Sequence, residues 1–97
     1  MSEDNYRLFY AAFHGDVHLM KSLQIQNWKV NAYDYDGRTA LGIAASEGHL
    51  DSVIYLVAQG ADLKHKDARG NDALADAIRE NRTETIVYLK GISEKRT

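Results

Sequence analysis

Four histidines, His14, His18, His49 and His65, are the side chains in this sequence best suited to hold a metal or carry a proton. Cysteine is absent, which excludes disulfides, thiolate metal sites and cysteine nucleophiles. His14 and His18 stand four residues apart, a spacing that on one helix lets two imidazoles chelate a cation. Gly15 and Asp16 fall between them and mark a turn, so the two rings are expected to part. His49 is expected to cap the helix that follows it, and His65 to lie solvated in an extended segment. Asp34-x-Asp36-Gly37 has part of a calcium loop, but setting Gly37 at the sixth position puts Ala32 at the first and Ile43 at the twelfth, where acidic ligands are needed. The two aspartates read instead as turn formers. Ser2, Ser22, Ser46, Ser52 and Ser93 all lack a lysine three positions later, so no Ser-x-x-Lys nucleophile exists, and no phosphate-binding glycine loop occurs. The expectation is a chain that is not an enzyme, with no catalytic residue, no cofactor and no metal.

Whatever these residues do, a small set of elements must position them. Ninety-seven residues make one domain, and 44% apolar with 27% charged residues is ordinary for a globular chain. A net charge of −2 supplies no general attraction to nucleic acid or to an anionic membrane, so neither is expected as a partner. The absence of proline favours helices. The most apolar stretch, residues 53–58, is far shorter than the roughly 18 residues of a membrane span. Met1-Ser2-Glu3-Asp4-Asn5 fits neither a secretory signal nor a transit peptide, which leads to the expectation of an intracellular, cytoplasmic protein. The sequon Asn81-Arg82-Thr83 is then incidental.

Sliding the sequence by 33 residues aligns Asp34, Gly37, Ala40, Leu41, Ala44, Glu47, Tyr55 and Leu56 with identical residues at 67, 70, 73, 74, 77, 80, 88 and 89. The same offset backwards matches Leu8, Ala11-Ala12, Gly15 and Leu23, and places Met20, Val53 and Ile86 in one phase. Each unit reads as two short helices and a turn. Thr39 caps a helix running to about Glu47, and Gly48 ends it in a left-handed conformation. A second helix from about His49 carries Leu50, Val53, Leu56 and Val57 on one face, and Gly60 closes it. Asp16 is placed to cap the second helix of the first unit, and Asn81 takes the terminating place of glycine in the last. Trp28 is expected to cover the end of the first unit's second helix. Lys90, Lys95 and Arg96, with Glu94 among them, read as a solvated, frayed terminus.

Asp34-Tyr35-Asp36-Gly37-Arg38-Thr39-Ala40-Leu41, Ala44-Ala45-Ser46-Glu47-Gly48-His49-Leu50 and Gly60-Ala61-Asp62 together resemble an ankyrin repeat, and a period of 33 is that of the family. The resemblance covers roughly residues 6–92. Tyr10-Ala11-Ala12-Phe13-His14-Gly15-Asp16-Val17 followed by the Asp34–Leu41 segment is similar to the ankyrin tails of kidney-type glutaminases and of some asparaginases. The resemblance implies an all-α solenoid of three helix-turn-helix repeats, about 4–33, 34–66 and 67–92, with short β-hairpin fingers and a frayed tail at 93–97. The family's Thr-Pro-Leu-His is replaced here by Tyr6-Arg7-Leu8-Phe9, Thr39-Ala40-Leu41-Gly42 and Asp72-Ala73-Leu74-Ala75, so no repeat has its fourth-position histidine. Gly42 is therefore expected to be a weak point whose replacement by histidine stabilises the chain.

By the same resemblance, the function expected is a protein–protein interaction module, a scaffold binding another protein through its concave face. The alternative is a structural or regulatory subunit of a larger complex, or a tail of a larger enzyme. The partner-binding positions implied are Tyr33, Tyr35, Asp36 and Arg38, then Lys66, Arg69 and Asn71 on the fingers. Phe13 and His14, Ser46 and Glu47, and Arg79 lie at the ends of the first helices. Aromatic residues and arginine are the types enriched among binding hot spots. Phe13, Tyr33, Tyr35 and Arg38 would form an aromatic half of the face and Lys66, Arg69 and Arg79 a basic half, fitting a partner with apolar and acidic character.

Overall fold

Thr39 opens the best-defined repeat. Its hydroxyl accepts the Gly42 N–H at 3.2 Å, satisfying one of the donors that a helix start leaves without an intrahelical partner. In the same way Asp16 accepts the Leu19 N–H at 3.0 Å and Asp72 accepts the Ala75 N–H at 2.9 Å. The structure, a computed structural model, describes residues 3–26 and 28–95. These form six helices: α1 (Glu3–His14), α2 (Val17–Ile25), α3 (Ala40–Glu47), α4 (Leu50–Ala58), α5 (Ala73–Arg79) and α6 (Thr83–Lys95). The left-handed conformation falls where the sequence puts it: Asn81 has φ 57°, and it is the one non-glycine residue with positive φ among those described. Helix α6 continues through Lys95, so residues 93–95, expected as a frayed tail, are helical; Arg96 and Thr97 lie outside the described residues.

The helices build two layers. Helices α1, α3 and α5 stack side by side, with α3 packed against both neighbours, and α2, α4 and α6 back them. Six of the eight residues of α3 are buried, and three of them are alanines that let adjacent helices approach closely. The core runs through every repeat, with Leu8, Met20, Leu41, Val53, Leu56 and Leu89 all but fully covered. Trp28 lies half-buried against this core with its ring 6.0 Å from that of Tyr55, so it bridges to the second repeat as well as covering the first. On the same side the Tyr55 hydroxyl donates to Gln24, whose amide donates to Gln59.

The fingers differ from the hairpins expected. Among the described residues they contain no strand, only a single antiparallel bridge between Tyr33 and Thr39. What holds each finger is a side-chain turn rather than a ladder. Asp34 accepts the N–H groups of Asp36 and Arg38, both at 2.9 Å, and Asp67 does the same for Arg69 and Asn71. The carboxylate takes the place of a partner strand, and neighbouring fingers are joined by one backbone bond from Ala68 N–H to the Asp36 carbonyl at 2.9 Å.

One bond recurs at each junction between repeats. Nε2 of His49 lies 2.9 Å from the Phe13 carbonyl, and 33 residues later Nε of Arg82 donates to the Ser46 carbonyl at the same distance. His49 thus makes no side-chain cap to its own helix, contrary to expectation; it satisfies a carbonyl at the end of the preceding repeat's first helix. Gly15 and Gly48 lie directly beneath these two side chains in left-handed conformation, at φ 68° and 74°.

Candidate functional site

Helix α1 presents Tyr6, Phe9, Tyr10 and Phe13 at the i, i+3, i+4, i+7 spacing that puts four side chains on one helical face. Phe9 is buried, while Tyr6, Tyr10 and Phe13 are exposed. The first finger brings Tyr35, 92% exposed, toward this stripe. Between them opens a groove of about 370 Å³ lined by these five rings, His14, Asp34, Asp36, Arg38 and Ile43. His14 packs on Tyr10 and Phe13 with ring centroids 4.4 and 5.2 Å away, while His18 lies beyond the turn on α2 and is exposed, so the two histidines part as their sequence context predicts.

A second, smaller cavity of about 170 Å³ adjoins the first, because Asp36 and Arg38 line both; its other walls are Asp67, Ala68, Arg69 and Arg79. Its charge is not simply basic. Arg38 Nε is held 3.3 Å from Asp34, and Arg79 is bound to Asp76 at 2.7 Å and to Glu80 at 3.1 Å. Asp76 is a carboxylate only 3% exposed, occupying the position that Tyr10 and Ile43 hold in the other repeats. Burial pushes its carboxyl above the ordinary aspartate range, and the hydrogen bond and charge of Arg79 pull it back only in part. A Cβ on Gly42 would sit 3.3 Å from Asp76 Oδ2, so any side chain at position 42 requires a buried carboxylate held by Arg79 to give by a few tenths of an ångström. The glycine is matched to this neighbour, and its replacement is not the simple gain that helix propensity alone implies.

The raised Asp76 value carries a pH dependence. A carboxyl that binds its proton more tightly in the folded chain than the unfolded reference near 3.9 adds stability that is fully present below that pH. That contribution is lost as pH rises through the folded value. Asp76→Asn cannot lose it, so the melting temperature of the variant relative to the parent should climb between about pH 4 and pH 7. Thermal melts across that range giving a constant or falling difference would refute the assignment.

Of the expected site residues, Phe13, His14, Tyr35, Asp36 and Arg38 line the larger groove, and Asp36, Arg38, Arg69 and Arg79 the smaller. Tyr33 instead stacks on His65 with centroids 5.5 Å apart. His65 is half-buried, not solvated, and its Nε2 lies 2.8 Å from the Gly37 carbonyl, a finger-to-finger contact. Ser46, Glu47, Lys66 and Asn71 line neither groove; Ser46 offers its carbonyl to Arg82, and Asn71 donates its N–H to Asp67. Tyr6, Phe9 and Tyr10 were not anticipated as site residues, although their helical spacing with Phe13 was visible in the sequence. No group of three or more acidic or histidine side chains able to hold a metal occurs among the described residues, and no described helix is long and apolar enough to cross a membrane.

Stacked helix pairs joined at a fixed 33-residue period, with turn-built fingers projecting on one side, define a repeat solenoid with a concave face. The chain belongs to the ankyrin repeat family: residues 8–96 match the family model for ankyrin repeats in three copies. Ankyrin repeats generally serve protein–protein interaction and are typically non-catalytic. The chain is 39% identical over 72 residues to an L-asparaginase of Dirofilaria immitis, a match that covers 74% of this chain and 12% of that protein. It is 38% identical over 84 residues to the mitochondrial liver isoform of glutaminase from Rattus norvegicus, covering 86% and 14%. A serine/threonine-protein kinase 12 of Arabidopsis thaliana is 37% identical over 84 residues, covering 87% of this chain and 18% of the kinase. The chain therefore spans about an eighth to a fifth of the length of these curated relatives.

Proposed function

We propose that this chain is a non-enzymatic interaction module that binds a partner protein through its concave face, chiefly the half formed by α1 and the first finger. The observation carrying this reading is the 370 Å³ groove, which gathers Tyr6, Tyr10, Phe13 and Tyr35, all exposed, next to Arg38. Large rings left in water are what binding covers, and tyrosine and arginine are over-represented among the residues that dominate interface energetics. Arg69 and Arg79 extend the contact along the second cavity. In this role the chain acts as a cytoplasmic scaffold.

The test is Tyr35→Ala combined with Arg38→Ala. Both side chains are exposed, so circular dichroism should show an unchanged fold. Loss of even one hot-spot contact of about 2 kcal/mol weakens partner affinity roughly thirtyfold, which calorimetry resolves. Full affinity in the folded double variant would remove this face.

A second reading is supported by the relatives: the chain resembles segments of an asparaginase and of a glutaminase, so it also fits a regulatory or structural tail of a larger enzyme. A freely acting module remains monomeric in light scattering, whereas a segment built permanently into an assembly self-associates when isolated. On the second reading Tyr6 and Ile25, 70% and 87% exposed at the N-terminal end of the stack, provide the contact.

A further inference from the structure

The charges lining the aromatic groove select among partners that its rings alone would accept equally. Asp34 and Arg38 neutralise one another: Arg38 Nε contacts Asp34 Oδ2, while Oδ1 of Asp34 is occupied by the N–H groups of Asp36 and Arg38. Asp36 is different. Its backbone is pinned from both sides, with its N–H on Asp34 and its carbonyl accepting from Ala68, yet its exposed carboxylate has no hydrogen-bond or ion-pair partner among the described residues. The groove thus combines five aromatic rings with one uncommitted negative charge on a rigid turn.

Three kinds of anchor can be compared on that wall. An acidic side chain meets the Asp36 carboxylate and the negative faces of the rings, both repulsive. A neutral apolar side chain gains burial and nothing else. A cation on a long aliphatic stem gains burial of the stem, attraction to the ring faces and an ion pair with Asp36. Arginine adds planar stacking on aromatic faces. At about 370 Å³ the groove is at the small end of ligand sites, which run to roughly 1,000 Å³, and suits a side chain or two of an extended segment. The basic half expected from the sequence does not argue for an acidic anchor here, because none of Lys66, Arg69 and Arg79 lines the aromatic groove, Arg79 is paired with Asp76 and Glu80, and Arg38, which does line it, is paired with Asp34.

We infer that the groove takes an arginine or lysine side chain from an extended segment of the partner protein, its aliphatic stem against Tyr10, Phe13 and Tyr35 and its charged end on Asp36. This rests on the concave-face reading above, and the two fail differently. The probe is a phage-displayed library of random twelve-residue peptides selected on the whole chain, with each selected peptide then measured by calorimetry. Peptides sharing an arginine or lysine are expected, with affinity that falls as salt is raised. Asp36→Asn should weaken them about three- to tenfold, the size of a partly exposed cation–π contact together with a surface ion pair. Replacing the shared arginine by citrulline, which keeps shape and loses charge, should weaken them similarly. The melting temperature of Asp36→Asn should match the parent, because the side chain holds nothing in the fold. Peptides that need Tyr35 but share a neutral or acidic anchor, indifferent to Asp36→Asn, would overturn the cation assignment and leave the face standing. Peptides indifferent to Tyr35→Ala with Arg38→Ala, or no enrichment at all, would overturn both.

Discussion

Replacing Gly15 by alanine is expected to cost about 2–5 kcal/mol, a large share of the roughly 5–15 kcal/mol that holds a small domain together. Two effects combine. At φ 68° an L-residue costs about 1–2 kcal/mol. The new Cβ would also stand 2.8 Å from Cγ and Nδ1 of His49. That ring is rigid, and it is tethered through Nε2 to the Phe13 carbonyl, so relief comes only by breaking the bond between repeats or by shifting backbone, with overpacking of this kind costing about 1–3 kcal/mol. Urea denaturation of Gly15→Ala in the parent and in a His49→Ala background separates the two terms. With the ring removed, the cost should fall to the conformational part. Additive losses would show that the ring does not oppose the methyl group. At Gly48 the nearest atom is Cδ of Arg82, at 2.7 Å, on a long side chain that can swing away at the expense of one hydrogen bond, so Gly48→Ala should be milder.

Leu41→Ala should cost about 3–4 kcal/mol, in the middle of the range for a fully buried leucine. Leu8 and Leu74 occupy the same place in the first and last repeats and provide the comparison. Leu41 is 1% exposed on α3, the helix packed against both α1 and α5, so the cavity opens where two junctions meet. Leu8 is equally covered but has one neighbouring repeat, and Leu74 is only half-buried. Losses of about 2–3 kcal/mol for Leu8→Ala and about 1–2 for Leu74→Ala follow from that burial. Because each repeat touches only its neighbours, the middle one couples the two ends. Denaturation giving equal losses at the three positions would contradict that coupling.

The concave face and the stability of the stack meet in Asp76. This carboxylate lies against the backbone of α3 at Gly42 and holds the Arg79 guanidinium at the wall of the second cavity. Burial pushes its carboxyl up, and its ion pair with Arg79 holds that guanidinium on the face proposed for binding. Ser52 is also fully buried, with a hydroxyl that has no hydrogen-bond partner among the described residues, at the repeat position where Thr85 is buried in the next unit.

The period, the helix starts at Asp16, Thr39 and Asp72 and the turns at Gly15, Gly48 and Asn81 were determined by the sequence alone. Thr39, Asp16 and Asp72 cap through atoms three residues away, and Gly15, Gly48 and Asn81 turn the chain by their own backbone preferences, so nothing distant is needed to read them. The turn role of Asp34 was legible for the same reason. The tertiary structure decided everything that spans a junction. His49 and Arg82 reach carbonyls 36 residues back, His65 reaches Gly37 across 28, and the rings of α1 come to line one groove with Tyr35 only once the first two repeats are stacked. A residue's own type and its immediate neighbours do not specify which repeat surface it will face. Arg79, one of the three cations of the expected basic half, is paired with Asp76, whose burial beside Gly42 of α3 only the stacking decides. Short-range chemistry built the repeats, and the stacking of those repeats made the groove.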